Sequence, residues 1–227
     1  MKQLVFFSLF LVTVLSCHKK DEGIPELSGK EYFPTDSGRY WIYNVHSIKY
    51  NSDTIDTTFQ VKQLIYDTFH FKNTIVYQLY RFSRSHASNP WPSAPDSVWS
   101  FTTDLNQITI NEAGSNYIRL VFPLSAGKKW NGNAKNIAPV NTYTVKSYNT
   151  SFAVSNLFFQ ETCNIEEAQS KNLVNKDYRN RIYAKYVGMI YKKYEQLSYN
   201  TEPANIGLYK IDFGSVYEET LIEYGTP

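Results

Sequence analysis

Past Lys30 the chain is a procession of short runs rich in Tyr, Phe, Val, Ile and Thr, each bounded by Asn, Asp, Gly, Ser or Pro. The runs are Arg39–Val45, Thr54–Phe71, Thr74–Phe82, Ser97–Thr102, Gln107–Ile110, Tyr117–Phe122, Thr142–Tyr148, Phe152–Ile165, Arg181–Tyr194 and Ile206–Glu223. Aromatic and β-branched side chains suit a pleated, half-buried surface, and the bounding residues suit turns. Apolar residues at helical spacing are scarce, and only a short helix near Glu166–Lys176 is expected. Many short strands with close turns predict an all-β fold with little helix, an antiparallel sandwich or partly closed barrel. One domain over residues 30–227 fits that length.

Composition narrows the function classes. Of 227 residues, 37 are aromatic, while charged residues are 19% and the formal net charge is +2. A disordered acidic or basic tail needs the opposite balance. A nucleic-acid binder would carry a basic stripe, so no nucleic-acid partner is expected.

The N-terminus reads as an address. Lys2 precedes an apolar run, Leu4–Leu15, interrupted only by Ser8 and Thr13, and Ser16-Cys17 follows. A charged start, an apolar core of about 7–15 residues and a small residue before the cut describe a secretory signal peptide. Residues 1–16 are therefore expected to be removed, with residues 17–29 a flexible tether holding Gly23 and Pro25.

Val14-Leu15-Ser16-Cys17 resembles a bacterial lipobox. The resemblance implies cleavage before Cys17 and acylation of that cysteine, giving a membrane partner through a lipid anchor. Lys20-Asp21-Glu22 is similar to the export tag of Bacteroidota surface lipoproteins, which implies an outer-membrane location facing the cell exterior. The same run also reads as plain solvated charge in a tether.

Two stretches echo each other. Phe33-Pro34, Gly38 and Trp41 match Phe122-Pro123, Gly127 and Trp130 as Phe-Pro-x-x-x-Gly-x-x-Trp. Pro fixes φ, Gly permits a left-handed turn, and Trp returns to the core. Each copy is read as a loop that leads into a strand and plugs one end with Trp. Tyr32-Phe33-Pro34 with Gly38 and Trp41, and Tyr183–Ile190 near the C-terminus, resemble β-rich Bacteroidota lipoproteins. Tyr186 stands where that family often has Gly. The resemblance implies a fold and a location and carries no reaction.

Signs of chemistry are sparse. His18, His46, His70 and His86 lack metal-ligand spacing, and no phosphate loop, dinucleotide fingerprint or nucleophile elbow occurs, so no catalytic residue, metal or cofactor is expected. Cys163, far from every His, reads as a small buried apolar residue. Glu166-Glu167 and Glu218-Glu219 are adjacent and would point to opposite faces of a strand, which suggests solvated edge charges. Trp91, between Pro90 and Pro92, is the candidate ligand contact, stacking on a sugar or gripping a partner; it also reads as a cap on the core. Thr54, Thr57 and Ser97 follow Asp in tripeptides that look like Bacteroidota O-glycosylation acceptors, the first two in a polar stretch, 51–58, expected as an exposed loop.

These features lead to a non-enzymatic, lipid-anchored envelope protein, a binding or accessory component for a glycan, peptide or protein partner. The alternative is a carrier holding a lipid-like ligand in a cavity lined by Tyr and Phe.

Overall fold

The computed structural model describes residues 28–226. A 3-10 turn, Lys30–Tyr32, leads into twelve strands: β1 (Tyr40–Tyr50), β2 (Ile55–Phe71), β3 (Thr74–Arg84), β4 (Ser97–Thr103), β5 (Gln107–Glu112) and β6 (Ser115–Val121), then β7 (Lys129–Asn131), β8 (Thr142–Val154), β9 (Leu157–Lys171), β10 (Asn175–Ala184), β11 (Gly188–Tyr199) and β12 (Ile211–Gly225). They form one antiparallel sheet in the order β6-β5-β4-β3-β2-β1-β12-β11-β10-β9-β8-β7, nearly closed into a barrel. The fold is the all-β class the strand runs imply.

The order splits the chain into two six-stranded meanders, β1–β6 and β7–β12, joined where β1 pairs β12 from Tyr40↔Gly225 to Tyr50↔Gly214. The opposite seam, β6 beside β7, is tied more lightly. The Ile118 N–H donates to the Gly132 carbonyl at 2.9 Å, and Trp130 Nε1 donates to the Ile118 carbonyl at 2.9 Å.

Each meander opens on one copy of the repeat, and the two copies share the glycine turn, although the Phe122–Pro123 bond is cis and the Phe33–Pro34 bond is trans. Gly38 and Gly127 have φ of 81° and 80°. The Gly38 N–H donates to Ile65 O while Ile65 N–H donates to Arg39 O; likewise Gly127 N–H donates to Val145 O and Val145 N–H to Lys128 O. Trp41 is buried and donates through Nε1 to the Val187 carbonyl at 2.6 Å. Gly188 lies against that indole, where a Cβ would come within 3.2 Å of the ring.

Strand polarity puts both repeat turns and Ser28 at one end of the barrel. Tyr32, Phe122 and Leu124 are buried and plug that end. Inward residues above them, among them Ile65, Phe101, Ile108, Leu120, Val145 and Ile165, form the apolar core. The loops 85–96, 132–141 and 200–210 ring the other end.

Three local expectations are corrected. Residues 166–171 are strand, not helix: helix-forming Glu, Ala and Gln are overridden by pairing of β9 with β10. The run Arg181–Tyr194 is two strands around a tight turn, in which Tyr186 takes a left-handed φ of 61°. The polar stretch 51–58 is a loop only as far as Thr54, since Ile55–Thr58 already pair with β1.

Candidate functional site

The barrel interior carries charge. Glu112 ends β5, Arg119 lies on β6, Glu167 on β9 and Arg181 on β10. Arg119 meets Glu112 at 2.8 Å and Glu167 at 3.1 Å; Arg181 meets Glu112 at 3.1 Å and Glu167 at 2.9 Å. The four side chains form a closed ring, two arginines alternating with two glutamates, that joins one meander to the other across the lumen. Tyr143 Oη accepts from Arg119 at 2.7 Å. Tyr194 Oη accepts from Arg181 at 2.8 Å and donates to Glu167.

A second layer lies beside the ring. Arg81 on β3 donates to Glu219 on β12 at 2.9 Å, and Tyr217 Oη donates to the same carboxylate oxygen at 2.7 Å. The other Glu219 oxygen and Arg81 Nη1 are buried without a partner among the described residues. Lys192 on β11 pairs in register with Arg181 on one side and Glu219 on the other. Its Nζ lies 4.7 Å from the centres of the Tyr194 and Tyr217 rings and has no carboxylate within ion-pair distance among the described residues.

Local structure explains how polar residues come to face inward. Arg181, Lys192 and Glu219 share the strand phase of the core residues Tyr183, Ile190 and Leu221, two positions away in each case. Glu167 sits at a bulge, where Arg179 pairs with Ala168 and Asn180 with Glu166. Bulges re-aim side chains beside functional sites. The reading of both glutamate pairs as solvated edge charges is thereby corrected in part. Glu167 is 1% exposed and Glu219 is fully buried, and the ring and Arg81 offset the cost of burying them. Glu166 and Glu218 take the outward side, near Lys146 and Lys193 respectively.

The charges shift one another strongly. Burial pushes the Glu112 and Glu167 carboxyls up, but Arg119 and Arg181 more than reverse this, holding Glu112 well below the usual range and Glu167 below its ordinary value. Burial likewise opposes ionisation of Glu219, yet Lys192 and Arg81 bring it down to about 2. Lys192 is the exception: burial pulls its ammonium down to about 8 despite the attraction of Glu219. An acid or base working near neutral pH needs a pKa near that pH. The three carboxylates are fixed in the ionised state, as suits electrostatic ties across a barrel.

Two spaces flank the charged layer. Toward the plug lies a cavity of about 40 Å³ bordered by Trp41, Leu79, Trp99, Phe101, Lys192 and Glu219. Toward the loop end lies a vestibule of about 290 Å³ bordered by Trp99, Tyr117, Arg119, Tyr143, Arg179, Lys192 and Tyr194. Small-molecule sites usually span about 300–1,000 Å³, so the vestibule reaches the lower edge of that range and the inner cavity does not. An acyl chain does not fit the inner cavity.

The residues singled out by sequence lie elsewhere. Cys17, Lys20, Asp21 and Glu22 fall outside the described residues. Trp91 is half-buried on the outer wall, away from the core. The Arg84 guanidinium covers its ring at 4.1 Å and is itself held by Gln60 at 2.9 Å and the Asn89 carbonyl at 2.8 Å. Thr54 is exposed at the loop end, Thr57 is exposed on β2 with its hydroxyl donating to Ser47 O at 3.2 Å, and Ser97 is half-buried at the start of β4. Cys163 is buried, and burial pushes its thiol up to about 12, which makes it inert. Among the described residues no cluster of three His, Cys, Asp or Glu converges as metal ligands would.

No protein-family model matches the chain, and no curated protein matches it. Two solved structures are similar in overall course. One is from Bacteroides fragilis, with a name that calls it exported and YmcC-like in fold: 12% identity, TM-score 0.37, covering 86% of this chain and 98% of that one. The other is from Parabacteroides distasonis, with a name that calls it a lipoprotein: 11% identity, TM-score 0.39, covering 86% and 98%.

Proposed function

We propose that this is a non-enzymatic, lipid-anchored envelope protein that binds a small ligand or a partner at the open end of its barrel. The carrying observation is the division of the interior. One end is plugged by the repeat turns, whose outer surface carries an open groove of about 850 Å³ beside Ser28, Pro34 and Tyr186, and the middle is locked by the Arg119–Arg181–Glu112–Glu167 ring; toward the far end the charged layer itself opens into a vestibule. Carboxylates saturated by arginine are poor acids and bases at neutral pH, so the ring glutamates serve as electrostatic ties rather than as acid–base groups. The inner cavity of about 40 Å³ weighs against carriage of a lipid.

The described chain begins at the plugged end, with the Ser28 carbonyl accepting from Leu124 N–H. An anchor at Cys17 holds that end toward the membrane and presents the vestibule away from it. Lys20, Asp21 and Glu22 direct the anchored protein to the outer surface of the outer membrane.

Cell fractionation and protease shaving test the location together. Cys17→Ala is expected to move the protein from membranes to the soluble fraction. Replacing Lys20, Asp21 and Glu22 with Ala is expected to keep it in membranes but protect it from protease added to intact cells. Membrane retention of the cysteine variant, or equal cleavage of the triple variant and the wild type, contradicts the respective assignment.

A further inference from the structure

We propose that Lys192 anchors a binding site for a small organic acid, its carboxylate seated on Nζ and its body in the vestibule against Trp99, Tyr117 and Tyr194. This rests on the vestibule being the binding mouth and adds the chemistry of what enters it.

Charge is the first ground. The buried interior holds four cations, Arg81, Arg119, Arg181 and Lys192, against three carboxylates, Glu112, Glu167 and Glu219. Each ring arginine already meets two glutamates, and Arg81 meets Glu219. Lys192, 8% exposed, is the cation with no ion pair among the described residues, and it borders both the vestibule and the inner cavity. One negative charge on the ligand balances the interior. A phosphate dianion overshoots that balance and brings its second charge against Glu112 and Glu167. A cationic ligand adds to the excess.

Shape is the second ground. Trp99, Tyr117, Tyr143 and Tyr194 supply aromatic surface, and a space of about 290 Å³ admits a ring or short apolar body but no long chain. Arg179, already tied to Asp177 at 2.8 Å, stands at the rim. The charged groups facing Lys192 pull in opposite directions, with Arg81 on the same side as Arg181. Arg181 repels its charge, Glu219 and Glu112 sustain it, and an incoming carboxylate adds to the latter.

Titration calorimetry on the purified full-length protein decides, with benzoate, glucuronate and acetate as probes and benzyl alcohol and sulfate as controls. Benzoate is expected to bind at pH 7 and at least tenfold more weakly in Lys192→Met, while Lys192→Arg keeps the site. In the wild type the affinity is expected to fall as pH rises past about 8, as the ammonium loses its proton. Equal benzoate binding in Lys192→Met, or affinity independent of pH between 7 and 10, overturns the assignment. Binding of benzyl alcohol as tight as benzoate overturns the acid site but leaves the mouth as a binding site. No binding of any probe overturns both.

Discussion

Lys192 sets the pH dependence of the fold. Facing it are Glu219 and Tyr217 from β12, Arg181 from β10, Glu112 from β5, Arg81 from β3 and Tyr194 from its own strand. Its folded pKa of about 8 lies below the ordinary 10.5. Between those values the unfolded chain binds more protons than the folded one, so stability rises with pH across that window and is lost as pH falls through 8. The cost of the buried ammonium at pH 7 is about 3 kcal/mol by that difference. Lys192→Met is expected to raise unfolding free energy at pH 7 by about 1–3 kcal/mol and to flatten its rise between pH 8 and 10. Urea unfolding of both proteins at several pH values checks this; a variant less stable than wild type at pH 7 contradicts it. Sequence carried a trace of this residue. Charged side chains two positions from core residues, such as Arg181 before Tyr183 and Glu219 before Leu221, mark inward charge once the strand phase is known. The phase of Glu167 depends on a bulge, and which carboxylate meets which arginine is set by pairings up to 138 residues apart, so neither was legible.

At the scale of elements, the repeat was the most legible feature. The shared glycine geometry follows from a shared requirement: Gly takes the left-handed region at the position whose N–H reaches a neighbouring strand. A Cβ at Gly127 would meet no atom within 4 Å, so substitution there costs backbone strain alone. Gly127→Ala is expected to lower stability by about 1–2 kcal/mol, and Gly127→Asn by less, because Asn tolerates the left-handed region. Denaturant midpoints measure the series; equal midpoints for Ala and Gly contradict the account. Turn chemistry also explains one of the strand boundaries that sequence missed. The turn between β10 and β11 has Tyr186 at φ 61° where glycine would have signalled it, and its N–H donates to the Glu31 carbonyl at 2.6 Å. The surroundings of Trp91 were not legible for a different reason. Its two prolines indicated a stiff loop, but its partner, Arg84, is outward on β3 and held by Gln60, a contact set by strand register.

For the whole molecule, the antiparallel class was legible in alternation and turn residues, while the closure was not. Nothing in the strand runs shows that β1 meets β12, or that the opposite seam is held by Trp130 and Gly132. Closure creates an inside, and that inside joins an apolar plug near the N-terminal end to a charged layer and a small mouth at the other. The proposed anchored barrel would hold acyl chains on Cys17 and none within. Mass spectrometry of the protein isolated from its own membranes, first native and then denatured, tests this most directly. The account predicts a chain beginning at Cys17 with covalent acyl groups under both conditions, and no lipid-sized mass lost on denaturation. A chain that retains Met1, an unmodified Cys17, or a stoichiometric lipid released on denaturation would contradict it.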